Sequence, residues 1–297
     1  MTSEPADTSM ATGPVRRRRR LWWVAAAVVL ALLVVGAVAA FVFLRESTTA
    51  VDVEDAVGDF RREEGSNESP PTAAPTPSSI PGSTFSTTTV PAPGSGVPEP
   101  GVYTYATTGR ESIDALGGRS HRYPDVSTIT VTHDACGAVH TWRPLRERWD
   151  ATTTCPGDRG QELTLYRSHH QFFGIDDTRD FVCDPGSLWY PPTTEPGATW
   201  TVQCGFEDIR VRRTGTIIGT DRVQVGADSV TVLTFELHDE ISGASVGIND
   251  RTVQVVPDTG LIVTLEMLVD VENDSPIGDV HYVERVHLRL TSLVPHR

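Results

Sequence analysis

Four cysteines, Cys136, Cys155, Cys183 and Cys204, are the residues whose number and spacing point most directly to chemistry. The count is even and no C-x-x-C pair occurs, which argues for two disulfides formed in an oxidising compartment and against a zinc ribbon. Three pairings are possible. Cys136 with Cys155 and Cys183 with Cys204 is favoured, because each bridge then joins neighbouring strands of a meander. Loops of about 20 residues would each contribute about 3 kcal/mol in the chain-entropy picture.

Other constellations are weaker. Gly243-Ala-Ser245-Val-Gly247 has the form of a nucleophile elbow, which needs a strand, a strained turn and a helix to lift its serine. The residues that follow, INDRTVQVV, alternate like a strand, so a glycine-rich hairpin is the better reading and a serine hydrolase the remote one. If 135–138 form a hairpin tip, His133 and His140 face each other about 5 Å apart at Cβ, with Asp134 as a conceivable third metal ligand. Two imidazoles do not make a site, and exposed strand histidines are the simpler account. His281 and His287 share a face but lie about 20 Å apart along a strand, too far to chelate one ion. His169 and His170 point to opposite faces if extended. Asp270-x-Glu272-x-Asp274 has the acidic spacing of a calcium loop but lacks its glycine and later glutamate, and reads as an acidic hairpin loop. Trp142, Trp149, Trp189 and Trp200 could line a groove, although tryptophan in a β domain is more often core. No catalytic residue, metal ligand or cofactor is assigned.

The elements that must position these residues are strands. In the last hairpin Leu261, Val263, Leu265, Met267 and Val269 share one face, and Val280, Tyr282, Val286, Leu288 and Leu290 share a face of the returning strand. Pro257-Asp258-Thr259-Gly260 supplies the turn between two such runs, and Asn273-Asp274-Ser275-Pro276 the next reversal. Eleven of the 23 residues from Thr214 to Glu236 are β-branched, which favours strand over helix. Further strands are predicted at 102–108, 127–133, 139–142, 162–166 and 199–204. The fold class is therefore mainly β: one antiparallel meander of about eight to ten strands forming a curved sheet, half-barrel or sandwich.

Composition divides the 297 residues into four parts. Residues 1–20 form a basic arm ending in Arg16 to Arg20. Residues 21–44 are 24 positions without a charge, about 36 Å of helix and enough to span a bilayer. The arginines before this run and the acidic residues after it put the N-terminus in the cytoplasm and the rest outside. Ala37-Val38-Ala39 offers a signal-peptide cleavage site as the alternative, but the run is longer than a usual signal core. Residues 45–100 show no apolar period, and 66–100 hold nine Pro and thirteen Ser or Thr, which predicts a disordered stalk with Thr84 and Ser86 to Thr89 suited to O-glycosylation. Residues 101–297 form the exported β domain.

Charge follows the same boundaries. The arm carries five Arg against two acidic residues, the stalk three against nine, and the domain 17 against 28, within a net charge of -14. The acidic exported parts make nucleic acid a poor partner. The lipid bilayer, through one helix, and an envelope ligand or protein are the partners expected.

Basic arm, signal-anchor, Pro/Thr stalk and disulfide-bearing β domain in this order resemble a class of single-pass envelope proteins of high-G+C Gram-positive bacteria. All 25 basic residues being Arg fits such a genome. The stretches GTDRVQVGADSVTVLTFEL and RTVQVVPDTGLIVTLEM resemble the half-barrels of lipoprotein carriers. Anchor, stalk and a β domain with no catalytic constellation point to a non-enzymatic, membrane-anchored extracytoplasmic binding module that holds a lipid-like or glycan component on the concave face of its sheet. The alternative is an envelope scaffold that meets another protein.

Overall fold

The computed structural model describes residues 48–67, 96–274 and 278–297. The basic arm, the predicted span 21–44, and residues 68–95 of the stalk, with its candidate glycosylation sites, lie outside the described residues. Among the described residues no helix is long and apolar enough to cross a membrane.

The alternating segments become fourteen strands. They are β1 (Gly101–Ile113), β2 (Arg119–Arg122), β3 (Val126–His133), β4 (Ala138–Leu145), β5 (Arg148–Gly157), β6 (Gly160–Phe172) and β7 (Ile175–Cys183), followed by β8 (Leu188–Tyr190), β9 (Thr199–Phe206), β10 (Ile209–Val225), β11 (Asp228–Ser242), β12 (Ser245–Val255), β13 (Ile262–Asn273) and β14 (Val280–Leu290). Each strand mostly pairs with its sequence neighbour, as a meander requires. The antiparallel meander has more strands than the eight to ten expected, and in place of a curved sheet, half-barrel or sandwich it is a closed barrel of twelve strands, because β1 pairs with β3 through 101–106 and with β14 through 105–113. Closure leaves β2 and β8 as additional strands on β1 and β6.

The Pro257–Gly260 turn stands where expected, whereas Ser275 and Pro276 of the second predicted turn lie outside the described residues. Val256 and Gly260 close the β12–β13 reversal with a backbone hydrogen bond of 2.8 Å, and Gly260 adopts φ 73°, a conformation glycine reaches without a Cβ clash. The segment 243–247 is the β11–β12 turn and the start of β12, with no helix after it.

One half of the barrel is filled. Tyr105, Ile129, Leu163, Ile217, Leu233, Phe235, Val253 and Leu288 are buried inside it. At the end where β12 turns into β13, β8 brings Trp189 and Tyr190 against Phe235, with ring centroids 5.8 and 5.5 Å apart. The Tyr190 hydroxyl donates to Pro257 O, and Trp200 Nε1 donates to Leu188 O at 3.0 Å. This end is closed by packed aromatic rings.

The folded unit begins earlier than residue 101, at Thr48. Within the segment expected to be disordered, Val53–Asn67 forms a helix, α1. Asp52 caps it by accepting from the Asp55 amide at 2.7 Å, and Glu54 and Asp55 suit the positive end of its dipole. Its apolar stripe is confined to the first two turns, and Ala56, Val57 and Phe60 are the part of it that packs. With Val51 these residues cover Val102 on β1, in a cluster separate from the main core.

Candidate ligand-binding site

The other half of the barrel is not filled with apolar side chains. Its strands carry a charged or polar residue in phase with their inward apolar positions: Glu111 on β1, Arg148 and Asp150 on β5, Arg213 on β10, Asp239 on β11, Asn249 and Arg251 on β12, and Glu284 on β14. All are buried, and they form two linked groups.

In the first, Arg148 binds Glu284 from Nε at 3.1 Å and from Nη2 at 2.8 Å, and reaches Asp150 from Nη2 at 2.6 Å. The Tyr282 hydroxyl lies 2.9 Å from Glu111 Oε2 and 3.0 Å from Glu284 Oε2, while the Tyr123 hydroxyl donates to Glu284 Oε1 at 2.5 Å. His121 Nδ1 and His170 Nδ1 lie 2.8 and 3.2 Å from the two oxygens of Glu111. Burial alone would raise the Glu111 carboxyl; the hydrogen bonds from His121 and His170 and the charge of Arg148 overcome this and hold it at about 2. Burial pushes the Tyr123 and Tyr282 hydroxyls well above their ordinary value, and the neighbouring carboxylates push them further. Both remain hydrogen-bond donors.

In the second group Asp239 accepts from Arg213 Nε at 2.6 Å, from Arg213 Nη2 at 2.9 Å and from Arg251 Nη2 at 2.5 Å. Burial opposes ionisation of Asp239, but the two guanidiniums win and keep it below its ordinary value. Arg148, Arg213 and Arg251 lie over the rings of Trp142, Trp189 and Tyr166 at 5.3, 5.6 and 5.5 Å. These rings supply further stabilisation of desolvated cations.

Above this charged layer lies a cavity of about 580 Å³, within the range that holds a small-molecule ligand. Arg148, Arg213, Asp239, Asn249 and Glu284 contribute to its lining, and Phe181, Ile209, Val211, Ile241, Val269 and Val271 make its wall largely apolar. The tip of the β6–β7 hairpin reaches over it. Phe172 is buried with Val271 and Tyr282 from the far side of the ring, and stacks on His121 at 4.5 Å. Phe173 and Gly174, at φ 56° and 71°, make the reversal. From β7, Arg179 Nη1 donates to Ser245 Oγ and Asn273 Oδ1.

The hairpin departs from the ring because β7 pairs with β9 only at Val182–Gly205 and Cys183–Cys204. The Cys183–Cys204 disulfide fixes that junction. Cys136 and Cys155 form the second disulfide, bridging the β3–β4 turn and β5. This is the pairing that strand adjacency favours.

Several predicted site residues are separated by the register. The β3–β4 turn comprises 134–137, so His133 pairs with Ala138, and His140 pairs with Val131; the two imidazoles do not stand opposite each other. His140 is buried, and desolvation, aided by His133, lowers it to about 4. His169 stacks on Trp149, whereas His170 points inward to Glu111. His281 pairs with Asp270 and His287 with Glu266, on separate rungs of the β13–β14 ladder. Among the described residues no group of three or more His, Cys, Asp or Glu has the arrangement of a metal site. Trp142 and Trp189 are core, Trp200 is partly buried against Phe235, and none of the four lines the cavity. Ser245 does line it, but its hydroxyl donates to Asn273 Oδ1 at 2.6 Å and accepts from Arg179 at 2.9 Å. Neither partner is a general base.

No family model and no curated protein matches the chain. Among solved structures, the hypothetical lipoprotein YmcC from Escherichia coli K12 is similar with a TM-score of 0.32 and 11% identity, over 64% of this chain and 86% of that one.

Proposed function

We propose that this chain is an extracytoplasmic binding module of the cell envelope, which takes a lipid-like small molecule into the open half of its barrel. The carrying observation is the cavity of about 580 Å³ between an apolar wall and a floor of buried charged residues, with a packed core beneath. Two disulfides fit an oxidising compartment outside the cytoplasm. The uncharged run 21–44 supplies the anchor in this reading, with the arginine arm inside. A lipid-like ligand fits better than a glycan, because the wall is apolar and the four tryptophans that might stack on sugar rings lie elsewhere. A hydrolytic role has little support, since the partners of Ser245 are an arginine and an amide.

The test is to purify the full chain and an Ile241→Trp variant, which fills the cavity, and to extract each with organic solvent. A small molecule recovered in stoichiometric amount from the native chain and depleted in the variant supports the reading. Equal recovery from both counts against it.

A further inference from the structure

Two donors of the cavity floor are unspent. Arg213 engages Asp239 through Nε and Nη2, and Arg148 engages its carboxylates through the same two nitrogens, so in each guanidinium Nη1 is left over. Neither Nη1 has a hydrogen-bond partner among the described residues, although Arg148 and Arg213 are only 1% and 2% exposed and both line the cavity. Asn249 Oδ1, also buried and on the lining, is an acceptor without a donor. A buried polar atom left unmet costs about 1–3 kcal/mol, more when charged. The floor therefore asks for a group with acceptor oxygens for the arginines and one hydrogen-bond donor for Asn249.

The charge of the layer narrows this further. Four carboxylates, Glu111, Asp150, Asp239 and Glu284, face three guanidiniums, Arg148, Arg213 and Arg251. The guanidiniums do not outnumber the carboxylates, so there is no positive excess to pair with an incoming anion. A carboxylate or phosphate would enter a desolvated layer already rich in carboxylate, where uncompensated charge is costly. An ammonium would bring donors to two guanidinium N–H groups that need acceptors. An uncharged group escapes both penalties.

We infer that the cavity selects a neutral amphiphile, one apolar chain ending in a head that bears a carbonyl or ether oxygen and a hydroxyl, over its charged counterparts. Arg148 and Arg213 donate to the head oxygens, Asn249 accepts from the hydroxyl, and the chain runs up the wall of Ile241, Val269 and Val271 towards Phe172. This rests on the cavity being a ligand site and adds the class of head group that it takes.

The probes are 1-monolauroylglycerol, laurate, dodecylamine and dodecane, offered together at equal concentration and pH 7 to the full chain held in amphipol. Native mass spectrometry compares their one-to-one adducts. Monolauroylglycerol is expected to exceed each of the others about tenfold. Arg213→Met should reduce its advantage over dodecane to within about threefold. Asn249→Leu, which removes no charge from the layer, should reduce the same advantage several-fold and guards against a folding defect in the arginine variant. Laurate or dodecylamine dominating, or four equal adducts all lost in Ile241→Trp, overturns the inference about the head and leaves the cavity as a binding site. Absence of any adduct, or adducts that persist in Ile241→Trp, overturns the binding reading itself.

Discussion

Arg179 on β7 donates to Ser245 Oγ at 2.9 Å, joining the β6–β7 hairpin to β12, which lies well round the ring from it. A second bond from the same Nη1 reaches Asn273 at 3.1 Å, so one guanidinium fastens the tip over the cavity. Arg179→Ala should cost about 1 kcal/mol of global stability but release the hairpin locally. Hydrogen exchange followed by mass spectrometry should show faster exchange at 172–177 with β12 and β13 little changed. Unaltered hairpin exchange would mean that the phenylalanine contacts alone hold it.

The Tyr282 hydroxyl serves two buried carboxylates at once. Tyr282→Phe deletes it without changing the ring and takes from Glu111 and Glu284 the one donor they share. A loss of about 2 kcal/mol in urea denaturation is expected, with an unchanged m-value. A loss below about 0.5 kcal/mol, the range of an ordinary surface substitution, would show that the network does not depend on this group.

His140 is buried and held at about 4, below its ordinary 6.5. The unfolded chain therefore binds the proton more readily, and this residue's contribution is fully present above pH 6.5 and is lost as pH falls towards 4. The loss is about 3 kcal/mol. Glu111, held at about 2, adds a second decline that begins only below its ordinary 4.5. Stability of His140→Leu measured at pH 7 and pH 5 should fall less than that of the native chain. Identical slopes would reassign the acid sensitivity to other groups.

The two disulfides close loops of similar length, with sequence separations of 19 and 21, but their settings differ. Cys136–Cys155 supports strands already paired along the β4–β5 ladder, whereas Cys183–Cys204 sits where β7 and β9 share only two residue pairs. Replacing both members of either pair by Ser should lower stability by about 3 kcal/mol. Only Cys183→Ser with Cys204→Ser should also speed exchange throughout β7. Equal exchange in both double variants would contradict a special role for the β7–β9 bridge.

The strands from β10 to β14 were legible because their inward residues, such as Phe235, Leu237, Val253 and Leu288, alternate with polar outward ones. β5 and β7 were not, since Arg148 and Asp150 occupy inward positions on β5 and most of β7 is polar; a polar layer inside the barrel erases the contrast on which a period depends. Closure was likewise invisible, because the pairing of β1 with β14 joins residues from opposite ends of the domain. The site left one signal: Arg213, Asp239, Arg251 and Glu284 each fall in phase with the apolar face of an otherwise alternating strand. A charge at such a position is either paired or misplaced, and four on neighbouring strands mark a buried layer. Their partners, Glu111 and Arg148, lie far away in sequence, and no local spacing connects them.

The short junction between β7 and β9 makes the barrel a sleeve slit from its rim. At Val182 and Cys183 the backbone ladder closes the circumference, and widening the ring there must break hydrogen bonds. Above it, residues 175–181 pair only with β6, so spreading the slit costs side-chain contacts but no rungs. A wider opening at the rim would therefore require displacing this flap about its disulfide and releasing the Arg179 bonds, but no strand pairing.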